Sequence, residues 1–361
     1  DQLPGGDLHA AGLAGHQEDE VEPDVGGREG HGRARVAVYD APMPPTIDVV
    51  ILAYNRYELT TSCLAHLAAQ TAPHRTIVVE NGSTDDTRAR LAADWPEVDV
   101  IGLDTNHGLP IACNRGVAAG RGEVVVMLNN DVDCRPDFLE RLVAPLEADA
   151  RVGSVASVML QPGERTIDSV GLSADVTLAG FPRFHGLPAE RAGERWPLLS
   201  APAGTAAAYR RTAWVQAGGL DEALFAYMED FDLGLRLRAA GWDCAAATDA
   251  IGVHLGSATH GHRSAAQRRL GGFGRGYMLR RYGILGGPHA ARALVTEAIV
   301  VAGDLLISRD AAALRGRVAG WRAGAGTARR TPPPATALEP AITLRASLDL
   351  RRGVYAGPRR A

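Results

Sequence analysis

Ile47-Asp48-Val49-Val50-Ile51-Leu52-Ala53 is a nearly continuous apolar run that ends abruptly in Tyr54-Asn55-Arg56. A run of that length without polar alternation is the mark of a strand covered on both faces, as in a parallel sheet. The next hundred residues repeat the theme. A helical spacing of Leu59, Cys63, Leu64 and Leu67 leads to a second apolar run, Thr76 to Val79, which ends in Glu80-Asn81-Gly82-Ser83-Thr84-Asp85-Asp86-Thr87. A helix through Leu91, a strand around Val98 to Leu103 and a helix across Ile111 to Ala118 come next. The strand Val124 to Leu128 then ends in Asn129-Asn130-Asp131-Val132-Asp133. Strands alternating with helices over short connections predict an α/β fold, a mostly parallel sheet wound in right-handed crossovers. Such sheets bind ligands beyond the carboxyl ends of their strands, and here those ends carry amides and carboxylates.

Beyond Glu147 the pattern loosens. Val152 to Leu160 and Ala203 to Tyr209 read as strands, 161–198 as loop, and 211–217 and 229–240 as helices. Residues 263–283 and 289–320 read as helices whose apolar faces are interrupted by arginine, Glu297 and Asp304, so they lie on a surface rather than cross a bilayer. Residues 328–361, with Pro332-Pro333-Pro334, read as a flexible basic tail, and 1–42, without apolar periodicity, as a disordered extension upstream of Met43.

At 361 residues with 46% hydrophobic and 22% charged side chains, a wholly disordered chain is excluded. The four cysteines are scattered with no CxxC pair, which fits reduced thiols in the cytoplasm and argues against a zinc or disulfide framework. The net charge of −4 conceals an imbalance: residues 263–361 carry eighteen arginines against five acids, and residues 1–42 nine acids against three arginines. A basic end asks for an anionic partner, and a membrane surface suits it. Nucleic acid is disfavoured because the arginines lack interleaved aromatics.

The polar clusters suggest nucleotide chemistry. Amides and carboxylates can grip a base and a ribose, and carboxylates can hold a divalent metal against a diphosphate. Asp131 and Asp133 would share one face if the strand ran on. Asp85 and Asp86 read first as caps of the following helix, and Asp133 equally as a cap of the helix at 136–148. No G-x-G-x-x-G follows the first strand and no P-loop sequence occurs, which disfavours dinucleotide and P-loop chemistry. Downstream, Glu229, Asp230 and Asp232 head an amphipathic helix with Leu233 and Leu237. A helix dipole welcomes acids there without requiring a Glu-Asp pair. His254 follows Ile251-Gly252-Val253 at a strand end, where a metal ligand would sit well.

Taken together, Val49–Arg56, Glu80–Thr87, Asn114-Arg115-Gly116, Leu128–Asp133, Gly218-Gly219-Leu220-Asp221, Glu229-Asp230 before Leu233-Gly234-Leu235-Arg236, Ala240-Gly241-Trp242 and His254 resemble the family-2 glycosyltransferases, nearest their rhamnosyltransferase-like branch. The resemblance spans roughly residues 46–285. It implies a GT-A fold over 43–285, a nucleotide-sugar half at about 46–150 and an acceptor half at about 151–285, followed by a C-terminal helical extension (286–327). It also implies an inverting transfer of sugar from a nucleotide diphosphate, dTDP-rhamnose or a UDP-sugar, to a glycan or lipid-linked glycan of the cell envelope or an exopolysaccharide.

By that resemblance Asp230 is the catalytic base and Glu229 its neighbour, while Asp131 ends the metal motif that Asn129 begins. Asp131, Asp133 and His254 become candidates for Mg²⁺ or Mn²⁺. Ala53, Tyr54, Asn55, Arg56, Glu80, Asn81, Asn114, Asn129 and Asn130 become candidates for the nucleotide sugar. Asn in place of the first motif acid leaves a metal fewer charged ligands. A processive synthase is excluded because Gln267-Arg268-Arg269-Leu270-Gly271 lacks the Gln-x-x-Arg-Trp tryptophan and no spanning helix is present. A sugar-nucleotide pyrophosphorylase would need a Gly-rich loop where Ala53-Tyr54-Asn55-Arg56 stands. A catalytically decayed relative, kept for carbohydrate binding or assembly, would be expected to have lost Asp131, Asp230 or His254.

Overall fold

A computed structural model describes residues 45–256 and 264–355. The extension read at 1–42 and the last residues of the basic tail lie outside the described residues. The chain alternates as the apolar runs predict: β1 (Ile47–Ala53), α1 (Tyr57–Ala68), β2 (Arg75–Glu80), α2 (Thr87–Asp94), β3 (Asp99–Gly102), α3 (Leu109–Ala119) and β4 (Val124–Asn129). β1 to β4 pair in parallel in the order β3-β2-β1-β4. Winding therefore reverses at β1: the chain moves outward through β2 and β3, then α3 carries it back to β4 on the other side. In open α/β sheets that reversal opens a crevice at the strands' carboxyl ends. Here the register sets Leu52 beside Asn129 at its lip.

The second half extends the same sheet. β5 (Val132–Cys134), α4 (Phe138–Ala148), β6 (Val152–Leu160), β7 (Ile167–Ser169), β8 (Leu172–Ala174), β9 (Gly180–Pro182), β10 (Ala206–Arg210), α5 (Arg211–Ala217), α6 (Glu229–Ala239) and β11 (Asp243–His254) succeed one another along the chain. The sheet continues β4-β10-β6-β11-β5, with β10 antiparallel to both neighbours and β11 parallel to β6. One face packs α1, α2 and α4 around Leu64, Leu67, Phe138 and Leu142. The other packs α3, α5 and α6 around Val117, Tyr209, Trp214 and Leu233. The GT-A layout expected from the sequence is what these layers form.

The C-terminal part comprises α7 (Ala265–Arg281), α8 (Ala290–Ser308), α9 (Ala312–Ala323) and α10 (Leu344–Leu350). The single helix read over 289–320 is in fact α8 and α9, broken at Arg309, whose φ of 52° lies in the left-handed region. α7 and α9 pack backbone to backbone: a Cβ on Gly316 or Gly320 would meet main-chain atoms of α7, and one on Gly272 or Gly276 would meet those of α9. Glu297 of α8 sits between Arg275 (2.6 Å) and Arg317 (2.8 Å), so one buried carboxylate ties all three helices. Burial alone would raise its pKa, but the two guanidinium groups hold it down to about 2.

The structure corrects the reading of the tail. Residues 328–355, expected to be flexible, carry α10 and bury Ala337, Ile342 and Ser347. Proline and arginine content hid the few apolar anchors: Ile342 joins Ala179 and Phe181 in a small cluster. Arg330 turns inward to Asp221 and Asp232 rather than facing a lipid surface.

Candidate active site

A cavity of about 390 Å³ opens at the crevice between the ends of β1 and β4. Tyr54, Asn81, Asn129, Asn130, Asp131, Glu229, Asp230 and His254, all candidates from the sequence, line it. Asn106, Gly204, Phe225 and Tyr227 line it as well, and no sequence motif singles them out; Gln267, noted in the sequence only at the head of an incomplete Gln-x-x-Arg-Trp motif, lines it too.

Asp131 and His254 meet because β11 and β5 run antiparallel, with His254 opposite Val132 and the Leu255 N–H on the Asp131 carbonyl (2.9 Å). His254 Nε2 lies 3.5 Å from Asp131 Oδ2, and its Nδ1 lies 2.9 Å from Asp168 Oδ2. Asp168 also takes His185 at 3.5 Å, so a line Asp131–His254–Asp168–His185 runs from the cavity wall to the half-exposed His185. Burial would lower the His254 pKa, but the carboxylates of Asp131 and Asp168 raise it to about 10. Burial likewise pushes Asp168 up, yet hydrogen bonds from His185 and His254 take it well below the usual carboxylate range. Asp168 escaped sequence reading because its signal is spatial. It sits in a loop-rich stretch 86 residues from His254 and arrives through the pairing of β7 with β6.

Among the described residues, no group of three or more His, Cys, Asp or Glu side chains is arranged to hold a metal by itself. Asp131 and His254 are a pair. Mg²⁺ and Mn²⁺ in nucleotide sites commonly use one or two protein ligands and take the rest from phosphate and water. A carboxylate beside an imidazole oriented by Asp168 fits that requirement once the incoming cation displaces the His254 proton.

Glu229 and Asp230 begin α6, and the two residues before them are strained. Tyr227 (φ 69°) and Met228 (φ 76°) are consecutive non-glycine residues in the left-handed region, which costs free energy and persists only where packing imposes it. Gly274 of α7 permits this, since a Cβ there would meet Met228 and the Tyr227 carbonyl. The turn aims both carboxylates into the cavity, in unequal surroundings. Asp230 accepts backbone N–H groups from Gly204 (2.7 Å) and Phe231 (2.6 Å). Glu229 is buried, and its Oε2 has no hydrogen-bond partner among the described residues. Burial, with the neighbouring Asp230 charge, raises Glu229 to about 8; burial also raises Asp230, against the pull of its backbone donors. With two backbone donors on Asp230 and none on the Glu229 Oε2, a negative charge shared by the pair is better held on Asp230 than on Glu229.

Other candidates do a different job. Asp133 does not share a face with Asp131, because β4 stops at Asn129 and the chain turns before β5. Its carboxylate instead takes the Ser62 hydroxyl (3.0 Å) and lies 3.5 Å from His66, and the helix cap position belongs to Asp137. Asn114 faces away from the cavity and braces α3 to Leu220 through both its amide atoms, at 3.0 Å each. Glu80 is fully buried, with one oxygen on the Ser83 N–H (2.5 Å) and the other on Arg88 (2.5 Å). It shapes the loop rather than facing a ligand.

Ala53 lies buried in β1. Asn55 and Arg56 tie the first loop to the second through Ser83, Thr84 and Asp85. Asp85, not Asp86, caps the start of α2, accepting the Thr87 N–H at 3.0 Å. Asn81 lines the cavity while its amide holds Asn106 and His107, and Asn130 is anchored to Thr60 at 2.9 Å.

Residues 48–215 match the family described as Glycosyl transferase family 2. Over 224 residues the chain is 30% identical to the N-acetylglucosaminyl-diphospho-decaprenol L-rhamnosyltransferase of Mycobacterium tuberculosis (strain CDC 1551 / Oshkosh), covering 55% of this chain and 73% of that protein. It is 28% identical over 242 residues to the O-antigen biosynthesis protein RfbC of Myxococcus xanthus, covering 62% of this chain and 18% of that one. Among solved structures, the crystal structure of GalNAc-T7 with UDP, GalNAc and Mn²⁺ aligns with a TM-score of 0.53 at 15% identity, over 72% of this chain and 55% of that one. At that identity the likeness concerns the fold alone, which is GT-A.

Proposed function

From the premise that the chain belongs to glycosyl transferase family 2 and is a glycosyltransferase, we propose that it moves one sugar from a nucleotide diphosphate-sugar to a hydroxyl of a cell-envelope or exopolysaccharide acceptor. One observation carries the proposal: Asp131 and His254, suited to a diphosphate, line the same cavity as Glu229 and Asp230, suited to proton transfer. The mycobacterial relative, named as an L-rhamnosyltransferase acting on N-acetylglucosaminyl-diphospho-decaprenol, supports rhamnose as the sugar and a glycan on a lipid diphosphate as the acceptor, with dTDP-rhamnose as the donor to test first. A UDP-sugar is the other donor to test. That acceptor would place the protein at the inner face of the plasma membrane, held by its basic C-terminal part. No helix among the described residues is long and apolar enough to cross a membrane.

The mechanism rests on the groups present. Tyr54, Asn81 and Asn106 line the part of the crevice suited to the nucleoside. Asp131 and His254 would hold Mg²⁺ or Mn²⁺, which when bound neutralises charge developing on the departing diphosphate. An acceptor hydroxyl is a poor nucleophile because its pKa lies far above neutral. Asp230, whose carboxylate is favoured over that of Glu229 by two backbone N–H groups, takes the hydroxyl proton as oxygen bonds to C1 of the sugar. The bond from C1 to the diphosphate oxygen breaks, its electron pair leaves with the nucleoside diphosphate, and attack from the opposite face inverts C1. Glu229, protonated, donates a hydrogen bond where a second negative charge would repel the donor.

A catalytically decayed protein is the weaker reading, since the four groups that chemistry needs line one cavity. Hydrolysis and transfer across a panel of nucleotide sugars, with Asp230→Asn as control, tests the assignment. Turnover of one donor that the substitution removes supports it; donor binding with no turnover favours the decayed protein.

A further inference from the structure

α8 is a mostly apolar helix with its wide side uncovered. It buries only Ala293, Thr296 and Glu297. Leu294, Val295, Ile299, Leu305 and Leu306 follow the helical repeat along the opposite side, and Leu306 and Ile307 are 79% and 85% exposed. α9 continues the face with Leu314 and Val318. A row of large apolar side chains left in water along one helix side is the kind of surface that marks a contact site.

The charge around this face is sorted. Each acid of the two helices and their junction faces an arginine: the buried Glu297 meets Arg275 and Arg317, Asp304 lies towards Arg317, and Asp310 pairs with Arg268 at the surface. Arg309 and Arg322 remain exposed and form no ion pair among the described residues. An apolar strip fringed by unopposed guanidinium groups is the composition of a helix that lies in a lipid interface and prefers anionic headgroups.

Its position matters for function. Asp310, three residues beyond Ile307, pairs with Arg268, and the residue before Arg268 is Gln267, which lines the cavity. The junction of α8 and α9 is therefore tied to the stretch of α7 that lines the cavity.

We propose that the exposed face of α8 and α9 seats the protein on an anionic bilayer, bringing the cavity to the membrane surface where a lipid-linked acceptor would present its sugar. The inference rests on the lipid-linked acceptor reading for its purpose, though not for its physics. It assigns the membrane contact to these two helices rather than to the arginines of the tail, of which Arg330 is committed internally.

The test is co-sedimentation of the full chain with vesicles of phosphatidylglycerol and phosphatidylcholine, and with phosphatidylcholine alone. The wild type is expected to bind the anionic vesicles. Leu306→Ser with Ile307→Ser should weaken partitioning roughly tenfold or more, and Arg309→Glu with Arg322→Glu should remove the preference for anionic lipid. Donor hydrolysis, measured on the same preparations, should be unchanged by either pair. A wild type that stays in the supernatant at low salt, or serine variants that bind like wild type, would overturn the proposal. So would a wild-type dimer in sedimentation velocity that the serine pair dissolves, since the face would then belong to a second copy. Vesicle binding without donor hydrolysis would leave the docking intact and refute the enzymatic reading alone.

Discussion

Gly204 donates its backbone N–H to Asp230 Oδ2 at 2.7 Å, and a Cβ on Gly204 would come within 3.1 Å of the Asp230 Cβ. The neighbouring Thr205 carbonyl accepts the Asn129 N–H at 2.9 Å. The short loop before β10 thus fixes both the aspartate assigned as base and the end of the strand that delivers Asp131. Two parts of the site far apart in sequence are held to one another through main-chain groups of this loop, one N–H that fixes the Asp230 carboxylate and one carbonyl that fixes the end of β4.

Gly204→Ala should displace Asp230 without touching the donor groups. We expect kcat to fall by about 10²-fold, with donor KM nearly constant. Steady-state kinetics with the donor varied checks this; a rise in KM at constant kcat would place Gly204 in donor binding instead.

Glu229 carries a raised pKa of about 8, against an ordinary glutamate value of 4.5. Between pH 4.5 and about 8 the folded protein holds a proton that the unfolded chain has released, so the stability present below 4.5 falls as pH rises across that window and is fully lost above about 8. Glu229→Gln should flatten this slope and raise stability near pH 8 by roughly 1 kcal/mol or more. In the wild type, donor affinity should weaken above the same pH as Glu229 ionises beside the diphosphate, and the glutamine variant should lack that limb. Denaturant melts and donor titrations across pH read both effects; a parallel pH dependence in the two proteins would show that Glu229 is not the proton carrier.

Asp168 orients His254 from behind, and its removal leaves Asp131 and the imidazole in place but unbraced. Asp168→Asn should weaken Mn²⁺ binding in the presence of nucleoside diphosphate by about 10- to 100-fold, read by the electron paramagnetic resonance of free Mn²⁺, with the thermal midpoint nearly unchanged. Equal Mn²⁺ affinity in the two proteins would remove Asp168 from any positioning role.

The contact between α7 and α9 depends on glycine. A methyl group on Gly320 would collide with the Phe273 carbonyl, so Gly320→Ala should cost about 1–3 kcal/mol, measured by denaturant unfolding. Because α7 supports the strained turn at Tyr227 and Met228, activity should fall along with stability. Full stability in the variant would mean the helices can separate at no cost.

The apolar runs made the first half of the fold legible, because a strand covered on both faces leaves few alternatives. Asp131, Glu229, Asp230 and His254 were legible for a related reason: each stands at the end of a strand or the head of a helix, where chain direction alone sends it towards the crevice. Asp133 was misread because alternation was extended past the true end of β4. Asn114 and Glu80 carry the right chemistry in the right stretches, yet their hydrogen-bonding capacity is taken up inside the protein, and sequence does not display partners. Asp168 was invisible since only the β7–β6 pairing brings it to His254, and the packed residues 328–355 were hidden behind proline and arginine.

The account turns on a division of labour between Asp131 and Asp230, and single-turnover hydrolysis of the preferred nucleotide sugar with Mn²⁺, alongside donor binding by calorimetry, tests it most directly. Asp131→Ala is expected to abolish Mn²⁺-dependent donor binding, whereas Asp230→Asn is expected to bind donor within about twofold of wild type and lose about 10²- to 10⁴-fold in rate. Unchanged turnover in Asp230→Asn, or Mn²⁺-dependent donor binding that survives Asp131→Ala, would contradict it.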